Sequence, residues 1–90
     1  MYFYYVYILK CSDDSYYTGI TNNLEKRYNE HQLGKHRDSY TFKRRPIQLV
    51  FNQEFNDVLQ AIYFEKKIKK WTRAKKEALI NEDAKMLQIL

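Results

Sequence analysis

Residues 2–20 read YFYYVYILKCSDDSYYTGI, and this stretch decides the fold. Tyr2 to Lys10 is dense in tyrosine, valine and isoleucine, which suit a pleated, half-buried surface, and Tyr16 to Ile20 continues that chemistry. Between them Cys11, Ser12, Asp13, Asp14 and Ser15 supply polar turn residues, so a β-hairpin is expected. Loop length then decides which side chains share a face. Residues directly opposite on a hairpin point the same way, so Tyr7 and Tyr17 lie on one face only if paired positions sum to an even number, which requires an odd-length loop. A three-residue loop within Cys11 to Ser15 meets that condition, whereas a two-residue loop centred on Asp13 and Asp14 separates the two phenols.

Working outward, helix signals follow the hairpin. Asn22 is placed to cap, with Glu25 in the reciprocal capping-box position, and Leu24, Tyr28 and His31 recur at helical spacing before a stop near Gly34. Lys35 to Arg45 has no apolar period and reads as a basic loop; after Pro46, Ile47 to Phe55 alternates as a third strand. Asp57 opens a second helix with Gln60 in the box position, and Val58, Ala61, Ile62 and Ile68 draw its buried stripe. Glu65 lies on that stripe, while Lys66, Lys67, Lys69 and Lys70 mostly point elsewhere. A third helix is expected from about Arg73 to Ile80, with residues 81–90 a helical extension or a loose tail, giving one α/β domain over residues 1–80.

Size and composition narrow the function classes. A chain of 90 residues buries roughly 60 to 65 percent of its unfolded surface, enough for a core without cross-links. One cysteine, Cys11, excludes an intrachain disulfide, and with His31 and His36 it lacks zinc-ligand spacing. The apolar stretch Tyr2 to Leu9 falls far short of the ~20 residues that cross a bilayer and has no basic segment ahead of it, so no membrane role is expected and the default location is cytoplasmic. Net charge is +5, and its placement matters more: residues 35–45 carry five basic groups against one acidic, and residues 65–76 seven against one. Folded onto one surface, these segments make a field suited to a polyanion. A solvated lysine-rich helix is the plainer alternative for the second.

Five polar side chains fall where such elements hold them inward. A carboxylate facing a core costs several kcal/mol unless paired, protonated or bound to a cation, so Glu65 calls for a partner. A hard divalent cation such as Mg²⁺ is one, since it prefers oxygen and is often held by one or two carboxylates together with substrate phosphate oxygens. A salt bridge to Arg27 or a lysine is the other. Arg27 and His31 stand four apart and emerge about 6 Å from each other on the face marked by Leu24 and Tyr28. Arg27 could fork onto a phosphate, or stack on one of the nine tyrosines; His31 could serve chemistry or only hydrogen bonding. Gly19, on the face of Tyr17, is expected to leave room for a substrate backbone.

Taken together, Tyr5-Val6-Tyr7, then Tyr17-Thr18-Gly19, then Asn23-Leu24-Glu25-Lys26-Arg27 with His31, and Glu65 on a later helix, resemble the GIY-YIG nuclease superfamily, and most of all its small standalone bacterial members. The Thr18 to Asn22 segment and the stretch Arg73 to Ile80 share in the similarity, which covers about the first eighty residues. The resemblance implies a three-stranded antiparallel sheet flanked by helices (α+β) and one divalent metal, Mg²⁺ or Mn²⁺. It implies that Glu65 binds the metal, Tyr7 acts as general base toward water, Tyr17 orients water or phosphate, Arg27 holds the scissile phosphate, and His31 assists or screens the site. The chain departs from the family pattern in three places: Tyr5 stands for the glycine of the first motif, Thr18 for the isoleucine of the second, and Ile20 where some members carry lysine.

A free phenol, with pKa near 10, is ionised about once in a thousand at pH 7, so Tyr7 needs help as a base, and His31, with an ordinary pKa near 6.5, is its rival. The resulting expectation is a metal-dependent endonuclease acting on nucleic acid, DNA before RNA, with low sequence specificity. Lys35, Arg37, Lys43, Arg44, Arg45, Lys66, Lys69, Lys70 and Arg73 would track the backbone, and a protein partner could supply targeting. The alternative is a non-catalytic nucleic-acid-binding module on the same scaffold.

Overall fold

Of the two loop lengths open to the turn residues, the hairpin takes the three-residue one. In the computed structural model, which describes residues 3–89, β1 (Tyr4–Lys10) pairs with β2 (Tyr16–Thr21), and Leu9 faces Tyr17. Cys11 N donates to Ser15 O at 2.9 Å and Asp14 N to Cys11 O at 3.0 Å, leaving Ser12, Asp13 and Asp14 as a three-residue loop. Asp14 takes the left-handed conformation, φ 68°, that ends such a loop, and Asp13 Oδ1 accepts from Ser15 N at 3.1 Å. The loop is odd, so Tyr7 and Tyr17 share a face. Tyr2, where the sequence starts the first strand, lies outside the described residues.

β1 is the centre of a three-stranded antiparallel sheet of order β2-β1-β3, with β3 spanning Gln48–Phe55. A bulge against Ile8 and Leu9 inserts Val50 between Phe51, which faces Ile8, and Leu49, which faces Leu9. On one face Val6, Ile8 and Phe51 pack with Ala61 and Ile68 of α2 (Val58–Lys69). On the other, Tyr7, Leu9, Cys11 and Ile47 pack with Leu24 and Tyr28 of α1 (Leu24–Leu33). Fully burying an aliphatic side chain such as Ile8 or Leu9 contributes about 1.5–3 kcal/mol. α1 and α2 thus pack against opposite faces of the sheet, which governs where the candidate residues can meet. α3 runs Arg73–Ile89, past the Ile80 end read from sequence. No helix among the described residues is long and apolar enough to cross a membrane.

Local corrections have local causes. α1 is capped by Asn23 rather than Asn22: Asn23 Oδ1 accepts from Lys26 N at 3.1 Å. With Asn23 as the cap the box position falls on Lys26, so Glu25 has no box to close, and the backbone N–H of Asn23 donates to Thr21 Oγ1 at 3.1 Å. Val58, placed on the buried stripe of α2 by its spacing, is exposed in the first turn. The stretch 35–45 is not structureless: Phe42–Arg44 forms a short 3₁₀ turn, and Ser12 N donates to Arg44 O at 2.8 Å. Asn23→Ala is expected to lower stability by about 1 kcal/mol and Asn22→Ala by less than about 0.5 kcal/mol in urea unfolding; equal losses would contradict the cap assignment.

Candidate active site

Tyr7 stands opposite Gly19 in the β1–β2 ladder. A Cβ built on Gly19 would lie 2.4 Å from both Cζ and the hydroxyl of Tyr7, so glycine is required for the phenol to lie flat across β2. The room at Gly19 is therefore filled by the Tyr7 ring, which corrects the expectation that a substrate backbone enters there. Any side chain at this position pushes the phenol off its seat.

α1 delivers His31 to that phenol from the helix end. Gly34 ends the helix at φ 67°, its N–H reaching His31 O at 3.3 Å while Lys35 N reaches Glu30 O at 3.0 Å, a Schellman arrangement that fixes the last turn. Gln32 Nε2 ties α1 to the start of β3 by donating to Ile47 O at 2.9 Å. The buried His31 ring then meets Tyr7, with Nε2 at 3.2 Å from the Tyr7 hydroxyl, and its Nδ1 lies 2.7 Å from Thr41 Oγ1. Tyr17 completes the cluster, its ring centroid 5.3 Å from that of His31 and 6.4 Å from that of Tyr7. On its far side Tyr17 stacks on Tyr40 at 6.0 Å, and Arg44 covers Tyr40 at 3.8 Å.

The electrostatics of this trio follow from burial. Tyr7 is 1% exposed, and loss of water, reinforced by Tyr17, pushes its pKa up to about 12 against the pull of the Arg27 guanidinium. His31 is held below its ordinary value, chiefly by burial and then by the charge of Arg27, with Glu30 opposing. Arg27 itself is 43% exposed in its side chain and pairs with Glu30 at 3.3 Å; Glu30 also receives Lys35 at 3.6 Å and His36 at 3.9 Å. Despite the cost of lost water, those cations hold the Glu30 carboxyl below the usual range.

Glu65 is not in contact with these groups. It sits on α2, against the other sheet face, 12% exposed in its side chain, and pairs with Lys69 one turn on at 3.5 Å. The lysine alternative weighed from sequence is thus the one realised, and no ion pair joins Glu65 to Arg27 among the described residues. The link to the trio runs around the edge strand. Lys69 lines, with Tyr16, Tyr17, Thr18, Tyr40 and Lys76, a pocket of about 270 Å³ that opens beside β2. Lys76 in that pocket is held below its ordinary pKa by burial and by the Lys69 charge, so the wall favours an anion. A larger hollow of about 450 Å³ along Tyr5, Leu24, Tyr28 and Leu49 holds none of the five candidate residues.

No group of three His, Cys, Asp or Glu side chains gathers at metal-ligand spacing among the described residues. Glu65 alone still fits a hard divalent cation. Its only cationic partner among the described residues is the exposed Lys69, and Mg²⁺ is commonly held by one carboxylate, waters and phosphate oxygens.

Of the nine residues read as backbone-tracking, three spend their donors on the protein. Arg44 donates to Asp13 Oδ2 at 3.1 Å and to Tyr40 O at 2.7 Å, Arg45 to Phe42 O at 2.9 Å, and Arg73 to Asp14 O. Lys35 and Lys69 are ion-paired with Glu30 and Glu65, whereas Arg37, Lys43, Lys66 and Lys70 make no ion pair among the described residues. Sequence reasoning missed Glu30, Tyr40 and Thr41. Glu30 could have been found three residues after Arg27 on the same helix face; Tyr40 and Thr41 sit in an aperiodic loop and carry no such signal.

The profile of the GIY-YIG catalytic domain matches residues 3–78. The UPF0213 protein of Syntrophus aciditrophicus is 46% identical over 79 residues, covering 88% of this chain and 91% of that protein. The UPF0213 protein of Clostridium perfringens is 49% identical over 77 residues, 86% and 82% of the two chains. Among solved structures, the solution NMR structure of a UPF0213 protein from Bacillus halodurans superposes with TM-score 0.59 at 39% identity, covering 88% and 83% of the two chains. The solution NMR structure of a protein from E. faecalis gives TM-score 0.65 at 32% identity, with coverage of 93% and 88%.

The burial of His31 has a measurable consequence. Since its folded-state pKa lies below 6.5, the unfolded chain takes up the proton first as pH falls, so stability drops from about pH 6.5 downward. Between about pH 7.5 and 5.5 the wild type is expected to lose more unfolding free energy than His31→Gln in urea titrations; equal pH dependence of the two would contradict the buried, neutral imidazole.

Proposed function

The chain belongs to the GIY-YIG family, and on that premise we propose that it is an endonuclease that hydrolyses phosphodiester bonds in DNA, with little sequence preference and with the aid of one divalent metal ion. The observation that carries this reading is the contact of Tyr7, Tyr17 and His31 on one sheet face, beside the arginine and at the mouth of a lysine-lined pocket. Packing alone does not call for a buried phenol, a half-buried one and a buried imidazole in mutual contact. A cytoplasmic location, with access to the nucleic acid, goes with the reading, as does a protein partner for targeting.

The roles follow from the environment of each group. Tyr17, whose ring borders both the trio and the pocket, orients the attacked phosphate or the water. Arg27 exchanges Glu30 for the scissile phosphate, leaving Glu30 to Lys35 and His36, and its planar fork matches two phosphate oxygens. Glu65, its carboxylate released from Lys69, would hold Mg²⁺ or Mn²⁺, and such an ion would supply positive charge to phosphate oxygens. Tyr7 takes the proton of the attacking water. The demand on it is large: lowering its pKa from about 12 to 7 corresponds to about 7 kcal/mol. His31, neutral at pH 7 with Nε2 3.2 Å from the hydroxyl, gives the Tyr7 proton a route but not a driving force, since its own pKa lies below the ordinary imidazole value.

One feature of the structure favours a second reading, a nucleic-acid-binding module without catalysis: Arg27 and Glu65 are each already paired on their own helix, with Glu30 and Lys69. Plasmid nicking separates the two. Wild-type protein with Mg²⁺ or Mn²⁺ is expected to nick, Glu65→Ala to lose the metal-dependent rate, and Tyr7→Phe to fall by about 10²–10⁴-fold. DNA binding without cleavage above the Glu65→Ala background would establish the binder; wild-type rates in Tyr7→Phe with none in His31→Ala would move the base to His31.

A further inference from the structure

Beyond His31 the hydrogen bonds do not stop. Thr41, fully buried, holds His31 Nδ1 at 2.7 Å, and Thr41 Oγ1 lies 3.0 Å from the hydroxyl of Ser39, which is only half-buried. The chain Tyr7–His31–Thr41–Ser39 therefore leads from a sealed phenol to the surface of the 35–45 loop. Each link is an oxygen or nitrogen that can both give and take a proton. A packing role does not explain the arrangement, because a valine would fill the Thr41 site with the same shape and no hydroxyl to satisfy.

We propose that Thr41 and Ser39 are positioning residues that fix His31 with its proton on Nδ1 and carry the proton of Tyr7 out to solvent. This inference rests on the reading of Tyr7 as the acceptor of the water proton. At rest Tyr7 donates its O–H to His31 Nε2, His31 Nδ1–H donates to Thr41 Oγ1, Thr41 O–H donates to Ser39 Oγ, and Ser39 O–H faces water. In the transfer, the Tyr7 proton moves to Nε2, the Nδ1 proton to Thr41, the former Thr41 proton to Ser39, and the former Ser39 proton to a solvent base. The phenol becomes a phenolate that accepts from Nε2–H, and the imidazole ends neutral in the other tautomer. No charge is left on His31, which suits its buried place. The relay supplies a route and not a driving force. It empties Tyr7 once; after the attacking water reprotonates the phenol, the imidazole must reset to present Nδ1–H to Thr41 again before Tyr7 can discharge a second time.

The resting tautomer tests this without any cleavage assay. Two-bond ¹⁵N–¹H correlation spectra at about pH 7.5 should show His31 of the wild type as Nδ1–H, although free imidazole side chains favour Nε2–H. Thr41→Val should shift His31 toward Nε2–H, and Thr41→Ser should restore Nδ1–H. In a nicking assay Thr41→Val should lose about tenfold or more in kcat with unchanged KM, and Ser39→Ala should lose less. If Thr41→Val fails to fold, the wild-type spectrum and Ser39→Ala still decide. Nε2–H in the wild type, or an unchanged tautomer in Thr41→Val, would overturn the proposal. A wild type that nicks nothing yet shows Nδ1–H would instead remove the nuclease reading and the proton-carrying role with it, leaving only the tautomer assignment standing.

Discussion

The site depends on one steric fact: the Tyr7 ring lies across the bare Cα of Gly19, with no room for a single added carbon. That seat directs the Tyr7 hydroxyl toward α1 rather than toward solvent. It brings the phenol to His31 and leaves Tyr17, two residues before Gly19, to border both the imidazole and the open pocket. The seat exists only because the hairpin loop has three residues, since a loop shorter by one would turn Tyr17 to the other face. A turn of three polar residues thus sets the geometry of a cluster some distance from it. The same loop is braced by Arg44 through Asp13 and by Arg73 through Asp14, so residues that a charge count would assign to a ligand also hold the scaffold.

Electrostatically the resting site is self-compensated. Arg27 is answered by Glu30 and Glu65 by Lys69, each within one helical turn, and both pairs have one well-exposed cation. Pairs of this kind contribute at most about 1 kcal/mol, so an incoming polyanion or a divalent cation can displace them at low cost. Tyr7 and His31, by contrast, are shielded from water and held in their neutral forms by burial. The structure therefore joins a dry phenol–imidazole pair to a wet, exchangeable ring of charges.

How much of this was legible in the sequence varied with the range of the interactions. The hairpin, the third strand, and the placement of Glu65 on the inner stripe of α2 could be read because turn chemistry and helical spacing are local; the hairpin register could not, because the run Cys11 to Ser15 admits a two-residue or a three-residue loop. The cap sits at Asn23, one residue past Asn22, which puts Lys26 and not Glu25 in the box position; two adjacent asparagines offer the same cap chemistry and spacing does not rank them. Convergence was the harder matter. Spacing puts Arg27 and Glu65 each on an inward face, but not on which side of the sheet each helix lies, and α1 and α2 cover opposite sides. Thr41 was invisible for another reason: its burial comes entirely from the fold of an aperiodic loop against α1.

On the proposed reading, groups from the two faces of the sheet act together around the edge of β2, and Glu65 seats a cation within reach of the Tyr17 side. Paramagnetic broadening by Mn²⁺ in ¹H–¹⁵N spectra of the folded protein tests this directly. Broadening should centre on the α2 amides around Glu65 and spread to β2 around Tyr17 and Thr18, and it should vanish in Glu65→Gln. Broadening confined to the acidic turn at Asp13 and Asp14, or unchanged in Glu65→Gln, would contradict the claim.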